Sequence, residues 1–350
     1  MNKEIKVKEY KKHSVLDAFK CYFFLTIIMA VSSIVLQIVL SLIASSKGIT
    51  YAEYSQNETV SIITYFLSPI IMIAFFFIYN KSKKLKCREA VSDGQKISLL
   101  PISVAIVLAI ISIFLFTPLM NLIDFTFKSW GFMVDNEIPL TEKMVDSGKY
   151  FALGVLIFAL LPAISEELIF RGIIQKGLSS KFNGFTTIII TTILFTLMHG
   201  SLQQTVYQVL VGIMLSYLAY VGGNILYSII LHFLNNLLVL VFSCFDIVGY
   251  LSYDETIYYN IFSKIFPFLI FLLGVVLVGI LFWVLKYLRN KDFFRFTSKK
   301  KKVEVVEEPE KVGFSGLWKS MDYNERVFMI TGVILVGIVW LINTISGFMG

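Results

Sequence analysis

Six side chains in this chain have the types and spacing for hydrolytic chemistry. Glu166 and Glu167 are adjacent, Arg171 follows four residues after Glu167, and His199, His232 and Asn236 come later. Carboxylates and imidazoles near neutral pH move protons or bind a divalent cation. An amide can donate to an oxyanion. The spacing separates their roles. Glu167 and Arg171 share a helix face and can pair, with the acid on the favoured N-terminal side. Glu166 points about 100° away and lacks that partner, so it is the carboxylate free to react. His232 and Asn236, also four apart, form a joint polar face, whereas Asn235 points elsewhere. Phe195 sits one turn below His199. Pro162, four residues before Glu166, removes one helical hydrogen bond and bends the axis.

Each feature alone has a plain structural reading: a core histidine, a packing salt bridge, an asparagine joining helices. Depth argues for more. With a turn at Asn183–Gly184, Glu166 and His199 lie 17 residues before it and 16 after it, so helical arms bring them to one height. His232 and Asn236 stand about 13 and 20 Å above the Gly222–Gly223 turn on the same rise of about 1.5 Å per residue. The four meet if the amphipathic stretch Arg171–Phe182 protrudes into the cytoplasm.

The elements that must position these groups are membrane helices. Of 350 residues, 57% are hydrophobic and 16% charged, and the mean hydropathy is +0.77. Soluble chains average about 25% charged residues, so a soluble enzyme, a nucleic-acid-binding domain and a disulfide scaffold are excluded. The apolar residues run continuously rather than alternating, which excludes a β-barrel. The expected fold is an all-α polytopic membrane bundle of about nine spans, at 21–44, 60–79, 97–117, 150–170, 185–199, 205–221, 224–244, 265–285 and 328–346. The first apolar run is too long for a signal-peptide core. With the N-terminus cytoplasmic, 26 of the 31 Lys and Arg fall on the cytoplasmic side, as the charge asymmetry of membrane proteins demands. Three regions follow: 1–149 with three spans and a basic tail, a core at 150–245, and 246–350 with a basic linker at 286–327. In that linker, Lys299–Lys302 precedes an acidic stretch, Val303–Glu310, and reads as solvated and close to anionic lipid headgroups. Cys21, Cys87 and Cys244 are scattered and read as unpaired small hydrophobes. The expected setting is the plasma membrane of a bacterium, with lipid and a membrane-associated peptide or protein as partners and no nucleic acid.

Glu166-Glu167-Leu168-Ile169-Phe170-Arg171 fits EExxxR, Phe195–His199 fits FxxxH and His232–Asn236 fits HxxxN. In this order, within spans, they resemble the three motifs of the CPBP family of intramembrane proteases. That family includes the second type of C-a-a-X prenyl endopeptidase and bacterial relatives tied to bacteriocin processing and self-immunity. The resemblance covers about residues 150–245. It implies that Glu166, assisted by His199, activates a water, that His232 and Asn236 stabilise the oxyanion, and that Glu167, Arg171 and Phe195 support them. Two chemistries stay open: a metal-free glutamate mechanism, or Zn²⁺ held by Glu166, His199 and His232. The absence of HExxH and the weakness of Asn as a zinc ligand favour the first slightly. A non-catalytic immunity or transport protein using the same polar cluster is the alternative function, weakened by the lack of inverted hydropathy repeats.

Overall fold

A computed structural model describes residues 13–55, 57–94, 97–133, 138, 140–245, 261–290 and 311–349. The Lys299–Lys302 run, the acidic stretch after it and most of the 245–264 loop lie outside the described residues.

All nine apolar segments are helical: α1 (Val15–Ser46), α2 (Glu58–Ser82), α3 (Leu99–Ser129), α4 (Gly148–Ser179), α5 (Gly184–Met198), α6 (Leu202–Gly222), α7 (Leu226–Cys244), α8 (Ile261–Asn290) and α9 (Tyr323–Met349). Six of them (α1, α2, α4, α6, α7 and α9) are long and apolar enough to cross a membrane. Among the described residues, α3, α5 and α8 contribute only the shorter apolar stretches Leu99–Ile113, Gly184–Met198 and Phe271–Trp283. Of the nine expected crossings, α5 is the one whose whole helix is short, at 15 residues, while α3 and α8 run for 31 and 30 residues. The chain is an all-α, multi-pass membrane protein, and no β-strand occurs among the described residues.

Helix ends follow local chemistry. Ser14 caps α1 in a capping box with Asp17, which Lys83 of the α2 end grips at 3.2 Å. Asn183 caps α5, its side chain accepting from the Thr186 N–H at 2.9 Å. Gly223, at φ +64°, ends α6 in the left-handed conformation that glycine adopts without a Cβ penalty. Both turns are held by other segments. Asp93 N–H donates to the Gly223 carbonyl and Ile225 N–H to the Val91 carbonyl, while Asn183 N–H donates to Val312 and Val312 N–H to Lys181.

α4 lies at the centre, packed against α1, α2, α5 and α7, while α3 packs on α6, α7 and α8, and α9 runs along α1. Its winding departs from the sequence expectation. Two π-helical segments, Val155–Leu160 and Phe170–Gln175, flank a regular stretch, Leu161–Ile169, with Pro162 in its first turn. π-segments are uncommon and cluster at functional sites.

The Arg171–Phe182 stretch is covered by other segments of the chain. Arg171, Ile173, Ile174, Gln175, Leu178 and Phe182 are all buried. The approach of α1 explains why: a Cβ added at Gly177 would lie 2.5 Å from the Ser14 carbonyl oxygen and 2.9 Å from the Ala18 Cβ. Gly177→Val should therefore destabilise the protein by about 1–3 kcal/mol, the usual cost of overpacking. Thermal unfolding in detergent reads this, and a wild-type midpoint would show that the α1–α4 crossing yields freely.

Candidate active site

The two glutamates occupy different environments. Glu167 and Arg171 form an ion pair at 2.7 Å with both side chains fully buried. A second Arg171 nitrogen donates to the Gly212 carbonyl of α6 at 3.3 Å, and the guanidinium lies 4.5 Å from the Phe195 ring centroid. Arg171 thus joins α4, α5 and α6. Glu166, one position earlier, keeps its side chain 19% exposed and has no ion pair with Arg or Lys among the described residues.

Two histidines converge on Glu166. His199 Nε2 is 3.8 Å and His232 Nε2 3.9 Å from Glu166 Oε2, an oxygen that is buried and makes no hydrogen bond. Their opposite ring nitrogens are both engaged. His199 Nδ1 lies 2.9 Å from the Phe195 carbonyl, and His232 Nδ1 lies 3.0 Å from Glu167 Oε1. A carbonyl can only accept, so His199 Nδ1 carries the proton and the neutral ring presents an Nε2 lone pair to Glu166. The Glu167 carboxylate assigns the same tautomer to neutral His232. Phe195 packs edge-on against both rings, at 4.7 Å to His199 and 6.0 Å to His232.

Six of the seven residues singled out from the sequence form one contact network: Phe195 at its centre, with Glu166, Glu167, Arg171, His199 and His232. Asn236, half-buried one turn along α7 from His232, makes no side-chain hydrogen bond among the described residues. Asn235, set aside in the sequence, is buried. The Tyr207 hydroxyl donates to its Oδ1 at 2.8 Å, and the Ser112 hydroxyl also lies 2.8 Å away. Gly212 is a second residue with no sequence signal beyond its small size. A Cβ there would meet Phe195 and Thr192 at 3.2 Å, so glycine lets α6 approach closely enough for its carbonyl to reach Arg171.

A zinc ion fits this donor set poorly. Each histidine has the second-nitrogen partner typical of metal ligands. However, tetrahedral zinc at about 2.0–2.1 Å from N and O ligands needs donors about 3.3–3.5 Å apart, closer than the 3.8 and 3.9 Å found. Among the described residues, no group of three His, Cys, Asp or Glu is placed to hold a metal.

On the charged side of this cluster, Arg171, Gln175, Lys176 and Lys311 help line a cavity of about 210 Å³.

Residues 148–238 match the family model described as Type II CAAX prenyl endopeptidase Rce1-like. The chain is also similar to "Putative membrane peptidase YdiL" of Bacillus subtilis (strain 168), 24% identical over 169 residues that make up 48% of this chain and 68% of that protein. No solved structure matches the chain.

Proposed function

With an Rce1-like domain at residues 148–238 as the premise, we propose that the chain is an intramembrane endopeptidase that hydrolyses a membrane-associated peptide or protein through a water activated by Glu166 and His199. The observation that carries this reading is the convergence of a carboxylate oxygen that makes no hydrogen bond and two imidazole nitrogens at 3.8 and 3.9 Å. Those spacings exceed a direct hydrogen bond and suit one bridging water, which needs two to four polar partners.

In this mechanism the water donates one hydrogen to Glu166 Oε2 and the other to His199 Nε2. Glu166 takes the proton as the water oxygen attacks the scissile carbonyl carbon. The carbonyl oxygen becomes an anion, and the Asn236 amide is the neutral donor available to it. His232 donates only once its Nε2 is protonated, and the Glu167 carboxylate at Nδ1 supports that imidazolium. Collapse breaks the C–N bond, the proton on Glu166 passes to the leaving nitrogen, and an acid and an amine result. Arg171 keeps the buried Glu167 charge paired, since an unpaired carboxylate there is costly.

The reading is tested by comparing membrane and secreted peptides of cells expressing wild type or Glu166→Ala. Wild type should yield at least one truncated peptide that the variant lacks. Identical peptide profiles would favour the immunity or transport alternative.

The mechanism needs no metal. Purified protein stripped by a strong chelator and verified metal-free should cleave within about twofold of the untreated rate, since neither water activation nor oxyanion stabilisation here draws on an ion. Loss of activity that zinc alone restores would replace this mechanism with the zinc one.

A further inference from the structure

α5 has 15 residues and spans about 22 Å at 1.5 Å per residue. That is less than the roughly 30 Å of a bilayer's hydrocarbon core. Its first turn lies at an aqueous surface, marked by Lys181 paired with Glu325 at 2.7 Å and Lys176 paired with Asp93. Its other end, the His199–Ser201 turn, therefore lies within the membrane. Non-helical backbone at that depth needs protein partners for its polar groups.

The last helix supplies them. Asn343 Nδ2 of α9 donates to the Gly200 carbonyl at 2.9 Å. One turn earlier, Trp340 Nε1 reaches the Thr205 hydroxyl at 3.4 Å, which in turn donates to the Ser201 carbonyl at 2.7 Å. Gly200 is buried at φ +61°, and a Cβ on it would lie 3.2 Å from Asn343 Nδ2. Glycine there meets both the left-handed backbone and the close approach of the amide. Asn343 itself is exposed on an apolar helix, beside the exposed Val339 one turn earlier and Ile342. An amide among such residues is costly unless it is bonded, and its bond falls on the residue next to His199.

We propose that Asn343 is a positioning residue for catalysis: by holding the Gly200 carbonyl, it fixes the end of α5 and aims His199 Nε2 at Glu166. α9 lies outside the Rce1-like segment, so this chain recruits a helix from beyond that domain to complete its site. The catalytic consequence rests on the hydrolase reading above, whereas the placement of His199 does not. Misplacing a catalytic group by about 1 Å can cost about a hundredfold in rate. Loss of one tether, with the Phe195 tether retained, should lower kcat about tenfold while KM stays within about twofold.

The test uses the full chain in lipid nanodiscs with nitrogen-15-labelled histidine. The chain has three histidines, so each ring can be assigned. In Asn343→Leu, the His199 ring-nitrogen resonances should shift while those of His13 and His232 stay in place. Asn343→Gln, which keeps the donor, should return the His199 signals and kcat towards wild type. Unchanged His199 resonances in the folded variant would overturn the proposal. So would a common shift of all three histidines, which marks general loosening by a residue that only joins helices. If Asn343→Leu does not fold, Asn343→Asp, of the same size without the donor, carries the comparison. Protein that cleaves no peptide would defeat the hydrolase reading, and the histidine signals would still decide the positioning.

Discussion

Glu166→Gln lowers cleavage by about 10²–10⁴-fold, the usual contribution of a positioned general base, and leaves the unfolding midpoint near wild type. The structure separates these two effects. Glu166 has no ion pair with Arg or Lys among the described residues and is partly accessible, so removing its charge orphans no buried cation. The amide keeps the size and the hydrogen-bonding capacity of the side chain but cannot take a proton from water. Steady-state cleavage of an identified peptide, paired with thermal unfolding, measures both. Full activity in this variant would exclude Glu166 as the base.

Arg171→Met has the opposite character. It leaves the Glu167 carboxylate buried with no cation, and breaking a buried pair in this way costs about 3–5 kcal/mol. Expression and unfolding midpoint should both fall sharply. The double substitution Glu167→Leu with Arg171→Met removes both charges and should recover most of the stability, because replacing a whole buried pair by apolar groups is often neutral. Activity should not return. His232 Nδ1 would lose the carboxylate now 3.0 Å away, and with it both its orientation and the support for its protonated form. Denaturant unfolding and cleavage assays of the two variants read the difference. A double variant as active as wild type would show that Glu167 serves only to neutralise Arg171.

The separation of Glu166 from Glu167 was legible in the sequence because a helix turns by a fixed angle per residue, and two adjacent carboxylates cannot share one partner. Equal depth of Glu166 and His199 was also legible from counting residues about Asn183. The route between them was not. The stretch after Arg171 has an amphipathic pattern, yet α1 crosses it so closely at Gly177 that it is buried, and its first turns are π-helical. Partners that act through the backbone leave no side-chain signal at all: the Gly212 carbonyl under Arg171, the Phe195 carbonyl on His199 and the Gly200 carbonyl on Asn343. Helices far apart in sequence, such as α9 beside the His199 turn, can be placed only by the fold. Length likewise sets α5 apart, since its 15 residues end short of a bilayer's thickness where hydropathy suggested a crossing.

Direct attack by water, with no covalent intermediate, is the centre of this account. Single-turnover cleavage in oxygen-18 water, followed by intact-mass analysis of both peptide and protein, tests it most directly. The account predicts one labelled oxygen in the new C-terminal carboxylate and an unmodified enzyme mass at every time point. A transient enzyme mass increased by the acyl part of the substrate would contradict it.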